Sequence, residues 1–116
     1  MQTMNLLSDA RFTDQKPNVV HAVKTDQMLV DGVYLKPGQT TGWHKSPDAD
    51  RAFVCVQGQG ELVLETSAVG GELRIPMALG AVALAPRGAF HELIAGAGGM
   101  VVSALSRFPV RMVEKG

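Results

Sequence analysis

Two of the three histidines flank turn-rich polar stretches, where side chains of a β protein are free to do chemistry. His44 belongs to Gly42-Trp43-His44-Lys45-Ser46-Pro47-Asp48-Ala49-Asp50-Arg51, which separates two apolar runs, and His91 opens a run just after Pro86-Arg87-Gly88. An imidazole ligates metals and moves protons near neutral pH. Metal chemistry asks for more than two imidazoles. Catalytic zinc takes three protein ligands and a water, and non-haem iron takes two histidines and a carboxylate. Asp48 and Asp50 are the nearby carboxylates, and either could supply a third ligand beside His44 and His91 if the loop folds inward. Arg51 works the other way. A guanidinium stays protonated, repels a cation at short range, and grips a carboxylate or phosphate in bidentate fashion. The same cluster therefore supports two chemistries: a divalent ion on His44, His91 and Asp50, or a small organic anion on Arg51 flanked by two imidazoles.

The elements that must position these residues read as strands. Apolar runs cover Val19–Val23, Met28–Leu35, Ala52–Val56, Glu61–Glu65, Glu72–Pro76, Ala81–Ala85, His91–Ala95 and Met100–Leu105. Gly, Pro, Asp and Asn break them, at Lys36-Pro37-Gly38, Gln57-Gly58-Gln59-Gly60, Val69-Gly70-Gly71 and Gly96-Ala97-Gly98-Gly99 among others. Short strands at a spacing of roughly 8–12 residues predict a sandwich or small barrel. A short turn of helix is expected within Met4–Arg11. Residues 1–17 read as an N-terminal arm and residues 18–116 as a single barrel domain. Side chains alternate along a strand, so an inward His44 takes Ser46 with it, and an inward Arg51 takes Phe53 and Cys55. His91 and Ala95 share a face in the same way. The expected ligand pocket is His44, Ser46, Arg51, Phe53, Cys55, His91 and Ala95, with the small residues of Ala81–Ala85 leaving room. His21 falls outside both stretches and is expected at the surface or an interface. Cys55 reads as a small buried hydrophobe before a nucleophile.

Composition bounds the function. A length of 116 residues suits one domain, and 46% apolar against 19% charged residues marks a globular chain. Formal net charge is zero and the basic residues are scattered, which argues against nucleic acid as a partner. No apolar run approaches the roughly 20 residues that span a bilayer, and the first residues lack the basic start of a signal peptide. One cysteine excludes an internal disulfide framework. The expected location is the cytoplasm, away from membranes.

Residues 80–91, G-A-V-A-L-A-P-R-G-A-F-H, run Gly, five residues, Pro, one residue, Gly, two residues, His. This resembles the second sequence motif of the cupin superfamily, with Ala95 where the motif carries Asn. The first cupin motif is also traceable. Gly38, five residues and His44 match; Ser46 stands at the second histidine, Arg51 at the glutamate, and Gly58 closes the motif six residues on. The resemblance implies an all-β fold, a single conical antiparallel β-barrel of the double-stranded β-helix or jelly-roll type, with a small-molecule pocket at its mouth. It also implies a metal position at His44 and His91, with Fe, Mn, Ni or Zn as the ion. Two of that family's ligand types are replaced here, so the ion is held weakly if at all. A homodimer is expected, paired through Val19–Val23 and Met28–Lys36. Three functional readings stay open: a binder of a small carboxylate or sugar acid anchored on Arg51, a metal-dependent dioxygenase, isomerase, decarboxylase or lyase, and metal-free acid–base catalysis by His44 or His91.

Overall fold

A computed structural model of the chain describes residues 2–115. Eight strands follow one another: β1 Asn18–Lys24, β2 Met28–Leu35, β3 His44–Lys45, β4 Arg51–Glu65, β5 Glu72–Met77, β6 Val82–Ala85, β7 His91–Arg107 and β8 Val113–Glu114. All pairings are antiparallel, and together they form one curled sheet. Among the described residues no helix is long and apolar enough to cross a membrane.

The long strands β4 and β7 organise the sheet. Each covers two of the runs that the sequence separates, because Gln57-Gly58-Gln59-Gly60 and Gly96-Ala97-Gly98-Gly99 bend the ladder without ending it. The first half of β4 pairs with Met100–Ser106 of β7, and its second half with His91–Ala95. The register shifts between Cys55 and Gln57 and between Gly58 and Gly60, which are bulges. β2 lies beside the C-terminal half of β7, from Met28↔Arg107 to Leu35↔Met100, and β1 extends the sheet beyond β2. On the far side, β4 carries β6 on its first half and β5 on its second. The core fills the curl with alternate residues of these strands: Val33, Leu35, Phe53, Leu62, Met77, Leu93, Met100 and Val102 are all under 5% exposed.

The N-terminal arm lies along the outside of β1 and β2. The Tyr34 hydroxyl donates to the Leu6 carbonyl at 2.7 Å, the Phe12 ring meets Tyr34 edge-on, and Gln2 exchanges two hydrogen bonds with the Lys24 backbone. The expected helical turn within Met4–Arg11 does not extend into a helix. Asn5 Oδ1 accepts the amides of Leu7 and Ser8, and this local side-chain bonding gives a turn over residues 6–9 instead.

Gly58 is one of two points where the long strands come too close for a side chain, the other being Gly60. The φ of Gly58 is +73°, and a Cβ there would lie 2.2 Å from the Gly99 carbonyl oxygen. Gly38 has a similar φ of +75° but open space around it. Gly38→Ala should cost about 1–2 kcal/mol, the left-handed backbone penalty alone. Gly58→Ala carries that penalty plus a backbone clash and should cost clearly more, upwards of about 3 kcal/mol. Urea midpoints of the two variants measure the difference; equal midpoints would show that the ladder gives way at Gly58 without strain.

Candidate functional site

One end of the curled sheet opens into a cavity of about 580 Å³. β7 and β3 bring two imidazoles to its wall. His44 and His91 stand directly opposite each other in the only register pair between those strands, which sets their Cβ atoms about 4.5–5.5 Å apart. Each ring is held by a carbonyl two residues back: His44 Nδ1 donates to Gly42 at 2.9 Å and His91 Nδ1 to Ala89 at 3.0 Å. In the neutral form of either ring the lone pair is then on Nε2. The exposed carboxylate of Glu114, on β8, lies 3.6 Å from His44 Nε2.

β4 supplies Arg51 and Phe53. The guanidinium lies over the Phe53 ring at 5.4 Å, and that ring packs against His91 with centroids 5.7 Å apart. Arg51 is poorly satisfied for a buried arginine. Its side chain is 12% exposed. One of its nitrogens faces Asp31 Oδ2 at 3.5 Å and another faces the Met112 sulfur at 3.7 Å. Nε is buried with no partner among the described residues. A guanidinium has five N–H donors, and one long contact to an oxygen leaves most of them unmet. Burial pushes its pKa below the ordinary arginine value, and the Asp31 charge pulls it back up.

Four of the residues expected in the pocket line the cavity: His44, Arg51, Phe53 and His91. The other three do not. Cys55 and Ala95 are in phase with them, but deeper in the curl they join the hydrophobic core. Burial also raises the Cys55 thiol pKa, as expected of a packing residue. Ser46 leaves the strand face because β3 ends at Lys45. It is buried, and its Oγ accepts the Ala49 amide. Asp50 is likewise not on the wall. Its Oδ1 accepts the Arg87 amide at 2.9 Å, tying the loop to the turn before β7. Asp48 is held by a two-nitrogen ion pair with Arg111.

The sequence reading did not include Asp31, and it expected His21 at the surface, where its side chain is indeed 60% exposed, but not on the cavity wall. Asp31 is 4% exposed on β2, with His21 opposite it on β1, and both line the cavity. The sequence carried a signal for Asp31: a carboxylate in phase with Leu29, Val33 and Leu35 inside an apolar strand. It also missed the C-terminal wall, where Phe108, Val110, Met112 and Glu114 alternate towards the cavity. β3 and β8 have two residues each, too few for a periodic signal.

Solved structures share this architecture. An RmlC-like cupin protein from Desulfovibrio desulfuricans superposes with a TM-score of 0.79 at 27% identity, over 92% of this chain and 96% of its own. The chain folds as a small cupin domain. A protein with a double-stranded β-helix domain from Klebsiella pneumoniae gives a TM-score of 0.82 at 16% identity, covering 99% of each chain. KdgF from a Halomonas species gives 0.71 at 19% identity, over 91% of this chain and 94% of its own. No protein-family model and no curated protein matches the sequence significantly.

A cupin's usual divalent ion fits this donor set poorly. Among the described residues no group of three His, Cys, Asp or Glu side chains is arranged to hold a metal ion. What remains is two imidazoles and the exposed Glu114 carboxylate 3.6 Å from one of them, with Ser46 and Asp50 engaged elsewhere and a guanidinium sharing the cavity.

Burial pushes the His91 pKa down; the hydrogen bond to Ala89 opposes this, and the Arg51 and His44 charges add to it. Free histidine titrates near 6.5. As pH falls through about 6.5 the unfolded chain takes up this proton before the folded chain does, so stability is lost on acidification. Wild type should therefore lose more of its urea midpoint than His91→Gln between pH 8 and pH 5. Equal losses would mean that His91 is not held neutral by the fold.

Proposed function

We propose that the cavity binds a small organic anion, with Arg51 gripping its carboxylate and the apolar wall taking its carbon skeleton. The observation that carries this reading is the state of Arg51, a buried guanidinium on a cavity wall with one distant oxygen partner and an unpartnered Nε. Buried donors left unmet are costly, and a carboxylate supplies two acceptors in the matching fork geometry. Phe53, Leu29 and Val33 line the same space and give it an apolar side. His44 and His91 present Nε2 lone pairs that accept from hydroxyl groups, which suits a hydroxy acid or sugar acid.

A carboxylate at a hundred times its Kd stabilises a protein by about 2.7 kcal/mol, which is roughly 10 °C in Tm for a chain of this size. Benzoate, glucuronate, 2-oxoglutarate and phenylpyruvate form a suitable panel for thermal shift. At least one should raise the Tm of wild type, and none should raise that of Arg51→Met, which keeps the bulk and loses the charge. Equal shifts in both proteins would remove Arg51 from the site. Metal content after exposure to Fe, Mn, Ni and Zn, followed by desalting, tests the competing metal-dependent reading. Stoichiometric metal that disappears in a His44→Ala, His91→Ala variant would replace the anion reading with a metal enzyme.

A further inference from the structure

His21 and Asp31 form an arrangement that anion binding alone does not use. Asp31 stands inside β2 with one oxygen on each of two partners. Oδ1 lies 2.6 Å from His21 Nδ1, and Oδ2 faces Arg51. A carboxylate only accepts hydrogen bonds, so Nδ1 carries a proton, and in the neutral ring the lone pair is on Nε2. The His21 side chain is 60% exposed while Asp31 is buried. One edge of the ring is fixed by the floor of the site and the other is open at its rim.

We propose that His21 is the general base of a proton transfer on a small oxo acid, with Asp31 as its positioning residue; this rests on the anion-pocket reading, because Arg51 must hold the substrate's carboxylate. The three groups are set for it. His21 bonds one oxygen of Asp31, Arg51 faces the other, and both residues line the same cavity, so one bound molecule can meet both. The three imidazoles on the cavity wall are not equivalent. His44 and His91 donate Nδ1–H to neutral carbonyls, whereas His21 donates to a carboxylate, which stabilises the imidazolium formed when the base takes a proton.

The step is balanced without a co-reactant. His21 Nε2 takes a proton from the carbon beside the keto group. The C–H electron pair becomes the carbon–carbon double bond of an enolate, and the carbonyl pair moves to oxygen. The imidazolium then returns a proton to that carbon, restoring the keto acid with exchange, or to the enolate oxygen, giving the enol tautomer.

Phenylpyruvate in deuterated buffer is the probe. Proton NMR reads its binding from line broadening in a titration and its chemistry from loss of the C3 protons to deuterium. Wild type should bind it and exchange C3 well above the buffer rate. His21→Gln should bind it equally and exchange on the order of a hundredfold more slowly. Asp31→Asn should bind at least as well, since Arg51 loses a competing carboxylate, and still exchange more slowly. A merely structural Asp31 would not separate those two readouts. Binding with exchange at the buffer rate, or wild-type exchange in His21→Gln, would overturn the dyad and leave the pocket standing. Parallel losses of binding and exchange in Asp31→Asn would overturn the positioning role. Absence of phenylpyruvate binding to wild type would overturn the dyad, and absence of any thermal shift across the four-acid panel would overturn the anion pocket with it.

Discussion

The pairing of β4 with β7 is the constraint on which the rest of the molecule depends. Two long strands run antiparallel and bend together where Gly58 meets Gly99 and Gly60 meets Ala95. The bend folds the ladder over on itself, so its two far ends come back to one mouth. Arg51 lies at one end, opposite Ser106, and His91 at the other, opposite Leu64. Residues far apart along the ladder thus end up in contact through Phe53, which touches both the guanidinium and the His91 ring. A side chain at Gly58 would push the strands apart at the bend, and the loss would be felt at the mouth as well as in the core.

Charge at the mouth is arranged around a single buried arginine. Asp31 supplies partial compensation from β2 and is itself bonded to His21 on β1. The guanidinium helps to keep His91 neutral, alongside burial. A cation placed between His44 and His91 would enter the field of that guanidinium with two donors. An anion would meet a positive group short of acceptors, beside a His91 that burial holds towards its neutral form. This supports the proposed anion reading over a cation, and the burial of Arg51 strengthens that support, since low-dielectric surroundings magnify both effects.

Much of the architecture was legible along the chain. β2 runs as the alternation of Met28–Leu35 indicates, and β1, β5 and β6 differ from the expected runs by a residue or so at their ends. Four of the seven expected pocket residues line the cavity, because period-two alternation and the two histidine stretches are local properties. Ser46, Cys55, Ala95 and Asp50 went astray for two reasons. Alternation tells which face a residue takes but not how deep in the curl it lies, so Cys55 and Ala95 joined the core. A loop offers no alternation at all, so the hydrogen bonds of Ser46 and Asp50 to backbone amides decided their direction.

By itself, then, the sequence determined the strands, the turns that separate or bend them, and which neighbours share a face with Arg51 and with His91. These follow from side-chain periodicity and backbone preference, which act over a few residues. Only the tertiary structure decided that Asp31 and His21 belong to the site, that the C-terminal segment walls it, and that Arg51 is left short of acceptors. Those depend on cross-strand register and on burial. Both are set by pairings between residues distant in the chain, such as His21 with Asp31 and His44 with His91.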